Sequence, residues 1–513
     1  MHLKQLAVPA IGVTLALGSM LQAASFTLIG DLPGGRINTI AKGCSGDGQV
    51  VIGFGEETNG TAAFVWTAAG GLAALPYASS ANRDASANGI SINGSRIVGN
   101  ADNEFNEKQA VYWTRQPNGS YQITLMELGS AFYSPFETES SSFANAVSSD
   151  GMRIVGSGRA APNPAQPTIT ASSFYGWIYP INSPASITLI PDLTGGRFTS
   201  FANGISGNGN LIVGQSSSAN RPTGTGTNNE AIRFSMPSGP TQGIGDLRPD
   251  AANFDSKASA ISRDGTTIIG RGRLATGGNP GFRFTDSLGM ESLGNLPTGT
   301  TPINTEAIAV NGDGRVIVGL TSTSSGNEAF IWTINQGMRS LSSVAGLTAL
   351  QLDGGRLEEA TGVSDDGKTI VGTRVRPNPS NANSPFREAF VLTLTDQELG
   401  IPPTGGGPEV EAFFANAKLN ITKIGGDVQL KFLTNPSLAI SYHLTYSANL
   451  EAPFTTQVSF TPNGSGGLTR NVVQLGYLGA ADASVGLPEI AERFPLSALP
   501  PRGFWRLKLV SPP

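Results

Sequence analysis

The segment Ala360-Thr361-Gly362-Val363-Ser364-Asp365-Asp366-Gly367-Lys368-Thr369-Ile370-Val371-Gly372 carries the pattern that decides the fold. Two short strand-like runs flank Asp366-Gly367, a dipeptide that tolerates positive φ and suits the tight turn of a two-stranded hairpin. The same unit, A-x-[small]-x-[S/N]-x-[D/N]-G-x-x-[V/I]-[V/I]-G, recurs at 41–53, 87–99, 144–156, 202–214, 258–270 and 307–319. In all seven copies the alanine stands 7 residues before the turn glycine and the closing glycine 5 after it. The six intervals from Gly48 to Gly367 average about 53 residues, a period that marks a repeat architecture.

A third strand follows each hairpin with the pattern small-apolar-x-aromatic, as in Ala63-Phe64-Val65-Trp66 and Ala329-Phe330-Ile331-Trp332. The seventh copy, Ala389-Phe390-Val391-Leu392, ends in leucine. A fourth, shorter strand centres on leucines, as in Gly243-Ile244-Gly245-Asp246-Leu247 and Ser292-Leu293-Gly294-Asn295-Leu296. Only six copies follow their own repeat. The seventh stands before the first repeat, as Leu28-Ile29-Gly30-Asp31-Leu32. A repeat array whose missing last strand sits at the other end of the chain closes on itself, whereas an open solenoid needs polar caps. The expected fold is therefore all-β: a seven-bladed β-propeller closed by an N-terminal outer strand, followed by a small C-terminal β-sandwich. The alanine strand is expected innermost, where blades crowd the axis, and the aromatic strand further out, filling the widening gap between sheets as core.

Composition excludes several chemistries. The 513 residues include 66 Gly and 33 Pro but only 2 His and 1 Cys, so a His- or Cys-based zinc site and a disulfide framework are ruled out. At 39% apolar and 14% charged, the chain can bury a large core. Residues 1–24 read as a secretory signal: Lys4, a twelve-residue apolar stretch at 6–17, and a small-residue zone ending in Ala23-Ala24. Twelve apolar residues are too few to span a bilayer, which takes about 20. Without Lys4, the 33 basic residues become 32 against 38 acidic, a net charge of −6. That acidity argues against nucleic-acid or anionic-lipid partners.

The repeats resemble the HAF-type probable extracellular repeats of exported bacterial proteins over about residues 26–395. The residues that carry the likeness are Glu328-Ala329-Phe330-Ile331-Trp332-Thr333 with Gly337-Met338, Leu32-Pro33-Gly34-Gly35-Arg36, and the 360–372 unit. The resemblance implies export and a repeat fold, and it supplies no activity or site to transfer. Position 328 is often His in such repeats and is Glu here.

Gly400-Ile401-Pro402-Pro403-Thr404-Gly405-Gly406-Gly407-Pro408 is a linker by composition. The resulting domains are 25–397 for the propeller, 398–411 for the linker and 412–513 for the sandwich. The last stretch resembles the small β-sandwich modules that end many exported bacterial proteins, through Gly425-Gly426, Tyr446-Ser447-Ala448-Asn449-Leu450 and Phe504-Trp505-Arg506-Leu507. That resemblance implies surface attachment, sorting or adhesion. Strand alternation turns His443 away from the face of Tyr442, Leu444 and Tyr446, which makes it a solvent-facing residue.

The Asp-Gly and Asn-Gly turns fall on one face of such a propeller, and the longer connections on the other, the candidate binding face. Three lead-in segments there repeat Gly-Gly-Arg, which nominates Arg36, Arg197 and Arg356 as ligand-binding residues able to grip carboxylated or sulfated glycans in bidentate fashion. The competing expectation pairs each arginine with an acid of a neighbouring blade, such as Glu358 or Asp192. The Ser-x-Asp-Gly turns are similar to the Asp-boxes of sialidase propellers but lack the aromatic after the glycine. Asp84, Asp255, Glu306 and Glu359 are acids on the loop face, but nothing in their spacing selects the flanking pair that a glycosidase needs. No catalytic residue, cofactor or metal is therefore assigned. The expected function is an exported, non-enzymatic binding or structural propeller that engages glycans or proteins at the cell surface; a carbohydrate-active enzyme using loop-face carboxylates is the alternative.

Overall fold

The computed structural model describes residues 24–400 apart from 81–82, 129–140, 160–173, 195–198, 218–228, 249–253, 276, 301–302, 349–350 and 382, together with the backbone of seven strands between Leu419 and Val510. The expected leader and most of the expected linker lie outside the described residues. The regular structure described is strand apart from two four-residue helices, Leu341–Val344 and Asp396–Leu399.

The first repeat forms an antiparallel sheet of Gly34–Cys44, Val50–Glu57, Gly60–Thr67 and Gly71–Ala74, in that spatial order. Sheets two to six repeat the order within 85–125, 142–189, 200–243, 257–292 and 305–340. Sheet seven takes only three strands from its own repeat: Arg356–Val363, Thr369–Arg376 and Phe386–Thr393. Its fourth position is filled by Ser25–Leu28, antiparallel to the third strand from Ser25↔Thr393 to Leu28↔Phe390, and one parallel bridge from that third strand, Asn38↔Arg387, joins sheets seven and one into a single eight-stranded sheet.

The leucine motif expected as the fourth strand is in fact the exit from it. The strand ends at Leu28, Gly243 or Ser292, and the glycine of the motif then turns to positive φ, +91° at Gly30, +84° at Gly245 and +82° at Gly294. The motif's apolar residues are carried down into the core, Ile29, Leu32, Leu293 and Leu296 among them. One backbone hydrogen bond anchors this exit to the small residue of the third strand: Leu75 to Ala63, Met126 to Ala110, Ile190 to Gly176, Ile244 to Ala231 and Leu293 to Gly281. In sheet seven the same bond runs from Ile29 N–H to the Ala389 carbonyl, between opposite ends of the repeat array.

A β-bulge explains the fixed alanine–glycine spacing. In every sheet the pairing of strands one and two slips just after the alanine, at Ala41/Gly43 and six equivalents. The bulge presses the preceding carbonyl against the closing glycine of strand two. A Cβ built at Gly372 would stand 2.1 Å from the Glu359 oxygen, and the other six positions give 1.9 or 2.0 Å. Only glycine fits that approach. The bulged side chain reaches the next sheet: Asn88, Asn145 and Asn203 donate to the carbonyls of Ala144, Ala202 and Ala258 at 2.8–3.0 Å. From sheet seven, the Thr361 hydroxyl donates to the Ala41 carbonyl of sheet one at 2.8 Å.

The turn is built by side chains as much as by backbone. Ser45 Oγ accepts the Val50 N–H at 3.0 Å and donates to Asp47 Oδ1, which also accepts the Gln49 N–H at 3.0 Å. The six other turns repeat this arrangement, with Asn311 in the serine's place in sheet six. Only the glycine of each dipeptide has positive φ, between 68° and 80°, so the Asp or Asn is there as an acceptor rather than for its backbone freedom.

Third-strand aromatics fill the gaps between sheets, mostly from the second position of the small-apolar-x-aromatic pattern and not the fourth. Trp113, Trp177, Phe282, Phe330 and Phe390 are buried against the preceding sheet. Phe64 of sheet one is buried with Val371, Ala389 and Val391 of sheet seven, and Ile29 and Leu32 complete that cluster. The short helix 396–399 is closed by a Thr395 capping box and buries Leu399 in the core of sheets six and seven, so residues 398–399 pack there instead of opening the linker.

Beyond residue 418 there are two antiparallel sheets. Leu419–Ile424, Asp427–Leu433 and Glu489–Pro495 form one; Leu468–Val472, Thr455–Pro462, Ser441–Ser447 and Phe504–Val510 form the other, in that order. His443 stands in register with Ser459 and Lys508.

Two outcomes follow. Deleting residues 25–33 removes Phe26, Leu28, Ile29 and Leu32 from sheet seven and its junction with sheet one. At about 1.5–3 kcal/mol per buried side chain, the loss is several kcal/mol, and near-native thermal melting would contradict the role given to this strand. For the turns, burial raises the carboxyl pKa of Asp47 and Asp150, but the serine hydroxyls and backbone N–H groups outweigh it and hold both below the usual value. Their stabilisation is thus present above an unfolded pKa of about 3.9 and lost as pH falls through the lower folded value. A D47N/D150N variant, copying natural Asn93 and Asn208, should match the parent within about 0.5 kcal/mol at pH 7 and lose less stability below pH 4 in urea titrations.

Candidate functional site

Two hairpin connections of each sheet, between strands one and two and between strands three and four, lie at one end. The opposite end carries the connections between strands two and three and those between sheets. There the nominated arginines of sheets seven and one stand at the starts of first strands. The Gly-Gly before each has a backbone cause. Gly34 and Gly354 take φ of +94° and +69°, and a Cβ at Gly35 or Gly355 would fall 2.4 or 2.3 Å from a carbonyl of strand two.

Arg36 forms a two-point pair with Glu56 of its own sheet, Nε to Oε2 at 2.9 Å and Nη2 to Oε1 at 2.7 Å. Its side chain remains 71% exposed, and Nη1 reaches the Ser384 hydroxyl of sheet seven at 3.5 Å. The Arg36 hydrogen bond holds the Glu56 carboxyl below its ordinary pKa, with Asn38 adding a second donor at 2.8 Å. Arg356 turns the other way and donates Nε to the Asn327 carbonyl of sheet six at 2.9 Å. Arg36 and Arg356 thus sit on neighbouring first strands without a contact between them, and Arg197 lies outside the described residues. The partner of Arg36 is not the acid of a neighbouring sheet. Glu358 is instead taken by Arg387, at 2.9 Å.

A denser group lies beside them, unmarked by any repeat motif. Arg374, with a side chain only 4% exposed, donates to Glu388 at 2.6 Å, and the same carboxylate accepts Arg376 Nε at 2.8 Å. Arg376 also lies over the Phe386 ring, 4.5 Å from its centroid. Charges alternating across the Arg374↔Glu388 register are the signal that finds this group in a sequence. Glu328 accepts the Ser340 hydroxyl on the outer strand of its sheet.

Three of the four loop-face carboxylates, those of Asp84, Glu306 and Glu359, are also engaged. Asp84 accepts the Thr61 N–H at 2.7 Å and lies 3.8 Å from Lys108 Nζ. Glu306 pairs with Lys257, across sheets five and six. Glu359 is pushed up by burial, opposed by Lys42, and accepts the Thr373 hydroxyl at 3.2 Å. Asp255 gives its backbone N–H to Asp246. Among the described residues no group of three or more His, Cys, Asp or Glu is placed to hold a metal ion.

No family model and no curated protein sequence matches the chain. Solved structures similar to it include oligogalacturonate lyase from Vibrio parahaemolyticus, at 9% identity and a TM-score of 0.45 over 74% of this chain and 98% of that one. The β-propeller domain of the Trilobed protease from Pyrococcus furiosus aligns at 10% identity and a TM-score of 0.42, over 69% and 95%. TolB from Acinetobacter baumannii aligns at 11% identity and a TM-score of 0.35 over 58% of this chain, and the match spans 61% of the TolB chain. At these identities and scores the likeness transfers neither activity nor ligand.

Removing Glu388 leaves Arg374 buried without its counter-charge. Glu388→Ala should therefore cost about 3–5 kcal/mol in urea denaturation, while Arg374→Met combined with Glu388→Leu should recover most of it. Equal losses in the single and double variants would show that the pair is not the source.

Proposed function

We propose that the seven sheets form a seven-bladed β-propeller closed by the N-terminal outer strand, in an exported protein of the HAF-repeat type that binds glycans or proteins at the cell surface without chemistry. Closure is supported by three contacts of sheet seven with distant sequence: Ile29 with Ala389, Thr361 with Ala41, and Asp365 with Gly46. The C-terminal pair of antiparallel sheets is taken as the β-sandwich, with an attachment role. Among the described residues no helix is long and apolar enough to cross a membrane.

The observation that carries the non-enzymatic reading is the engagement of three of the four nominated loop-face carboxylates. Asp84, Glu306 and Glu359 each already serve a backbone N–H, an amine or a hydroxyl of the frame. A hydrolase of this type needs one carboxyl free to give a proton and another free to attack or activate water. Binding would fall to the exposed Arg36, with Arg356 and Arg197 contributing along the same face. An arginine held in a two-point pair keeps its fork planar and oriented, ready to exchange one carboxylate for another.

The test is a glycan array on the protein, with product analysis of each glycan retained. The expected result is retention of carboxylated glycans without conversion, weakened several-fold by Arg36→Ala. Conversion abolished by a single loop-face Asp or Glu substitution would overturn the reading in favour of a carbohydrate-active enzyme.

A further inference from the structure

The second residue of each of the seven [Ser/Asn]-x-[Asp/Asn]-Gly turns is unconstrained by the turn itself, and the repeats fill it differently: Gly46, Ile92, Ser149, Gly207, Arg263, Gly312 and Asp365. Six of the seven junctions between successive turns are bonded at these residues, all but that between Ile92 and Ser149. Backbone hydrogen bonds pass from turn to turn: Gly46 to Ile92, Ser149 to Gly207, Gly207 to Arg263, Asp264 to Gly312, Gly312 to Asp365, and Asp365 back to Gly46, at 2.8–3.2 Å. The side chains interlock across the middle. Arg263 donates Nε to Asp365 Oδ1 at 2.7 Å and Nη1 to Ser149 Oγ at 2.8 Å, joining sheets three, five and seven over 114 and 102 residues of chain. The three glycines leave the room this requires. A Cβ at Gly207 would stand 2.4 Å from Arg263 Cγ, and one at Gly46 would stand 2.5 Å from Ile92 and 2.8 Å from Asp365.

We infer that these residues form a plug, keyed by Arg263, that closes the turn-face end of the propeller axis and leaves the loop face as its only mouth. The inference rests on the propeller reading, since it needs an axis to close, and it deepens that reading by fixing the side from which a ligand enters. A guanidinium suits the task because its rigid fork can hold two anchors on different sheets at once. Lysine, with one nitrogen, cannot hold both in the same geometry.

Cys44, the only cysteine of the chain, reports on the seal. It is the residue just inward of the Ser45 turn, and a Cβ on Gly362 of sheet seven would lie 3.2 Å from its backbone nitrogen. Burial drives its thiol up to about 12; Asp365 and Asp47 add to the rise and Arg263 opposes it. Removing Arg263 therefore makes the thiol a poorer nucleophile, so any acceleration of its modification comes from access and not from electrostatics.

The experiment measures modification of Cys44 in the full chain by a small aromatic disulfide at pH 8. The parent, Arg263→Ser, Arg263→Lys and Ser149→Ala are compared, with melting of each recorded. Serine is the native residue at this position in sheet three, so Arg263→Ser is compatible with the turn. The expected result is slow modification of the parent, at least tenfold faster modification in Arg263→Ser, and intermediate rates in Arg263→Lys and Ser149→Ala. Should Arg263→Ser fail to fold, the Ser149→Ala comparison decides, because it removes one anchor and no charge. Rapid modification of the parent, or equal rates in parent and folded variants, would overturn the plug. Neither result depends on whether the loop face retains a glycan, so failure here is separate from failure of the binding reading.

Discussion

The rest of the molecule depends on the contact between the first strand of one sheet and the first strand of the next. Each lies against its successor, and the first strand of sheet seven lies against that of sheet one. Backbones that approach so closely admit little side-chain volume, which is why alanine occupies the fixed position in all seven strands and is fully buried there. The bulge after that alanine converts crowding into connection. In four of the strands it frees a side chain, Asn88, Asn145, Asn203 or Thr361, to reach the neighbouring sheet, and in all seven it demands glycine on strand two. The fixed alanine-to-glycine spacing is thus a single packing event repeated seven times.

From that contact outward the sheets diverge, and the volume between them is taken up by third-strand aromatics and the apolar residues of the fourth-strand exits. The ends of the sheets then differ in kind. At the turn end, each hairpin is held by hydroxyl, carboxylate or amide side chains, and six of the seven junctions between successive hairpins are bonded. At the other end, arginine–carboxylate pairs such as Arg36–Glu56, Arg387–Glu358 and Arg374–Glu388–Arg376 bind lead-in segments and strand starts together. Stiff scaffold below and varied connections above is the division of labour expected of a binding face.

Much of this was legible in the residues because the repeat enforces it. The small residue, the aromatic one or three places on, and the leucine motif whose seventh copy is displaced to the N-terminus each reflect a constraint met along the array. The exact span of the closing strand was not legible, because Leu28-Ile29-Gly30-Asp31-Leu32 alternates like a strand while Gly30 turns out of the sheet. The partners of the arginines were also hidden. Arg36 finds Glu56 twenty residues away in its own sheet, and Arg374 finds Glu388 only through the antiparallel register. Such pairs occur once, so no repetition exposes them. The same holds for Arg263, whose anchors are set by the meeting of three turns distant in the chain.

The central claim, that sheets seven and one are joined as firmly as any other neighbours, is tested most directly by residue-resolved amide hydrogen exchange. The Ile29 N–H, bonded to Ala389, and the Asp365 N–H, bonded to Gly46, are the diagnostic amides. Leu75 and Met126, which make the equivalent exit bond within sheets one and two, are their internal references. The account predicts that Ile29 and Asp365 are protected to the same degree as those references, opening only with the global unfolding of the array. Exchange of Ile29 and Asp365 at the rates of a frayed terminus, with Leu75 and Met126 still protected, would contradict it.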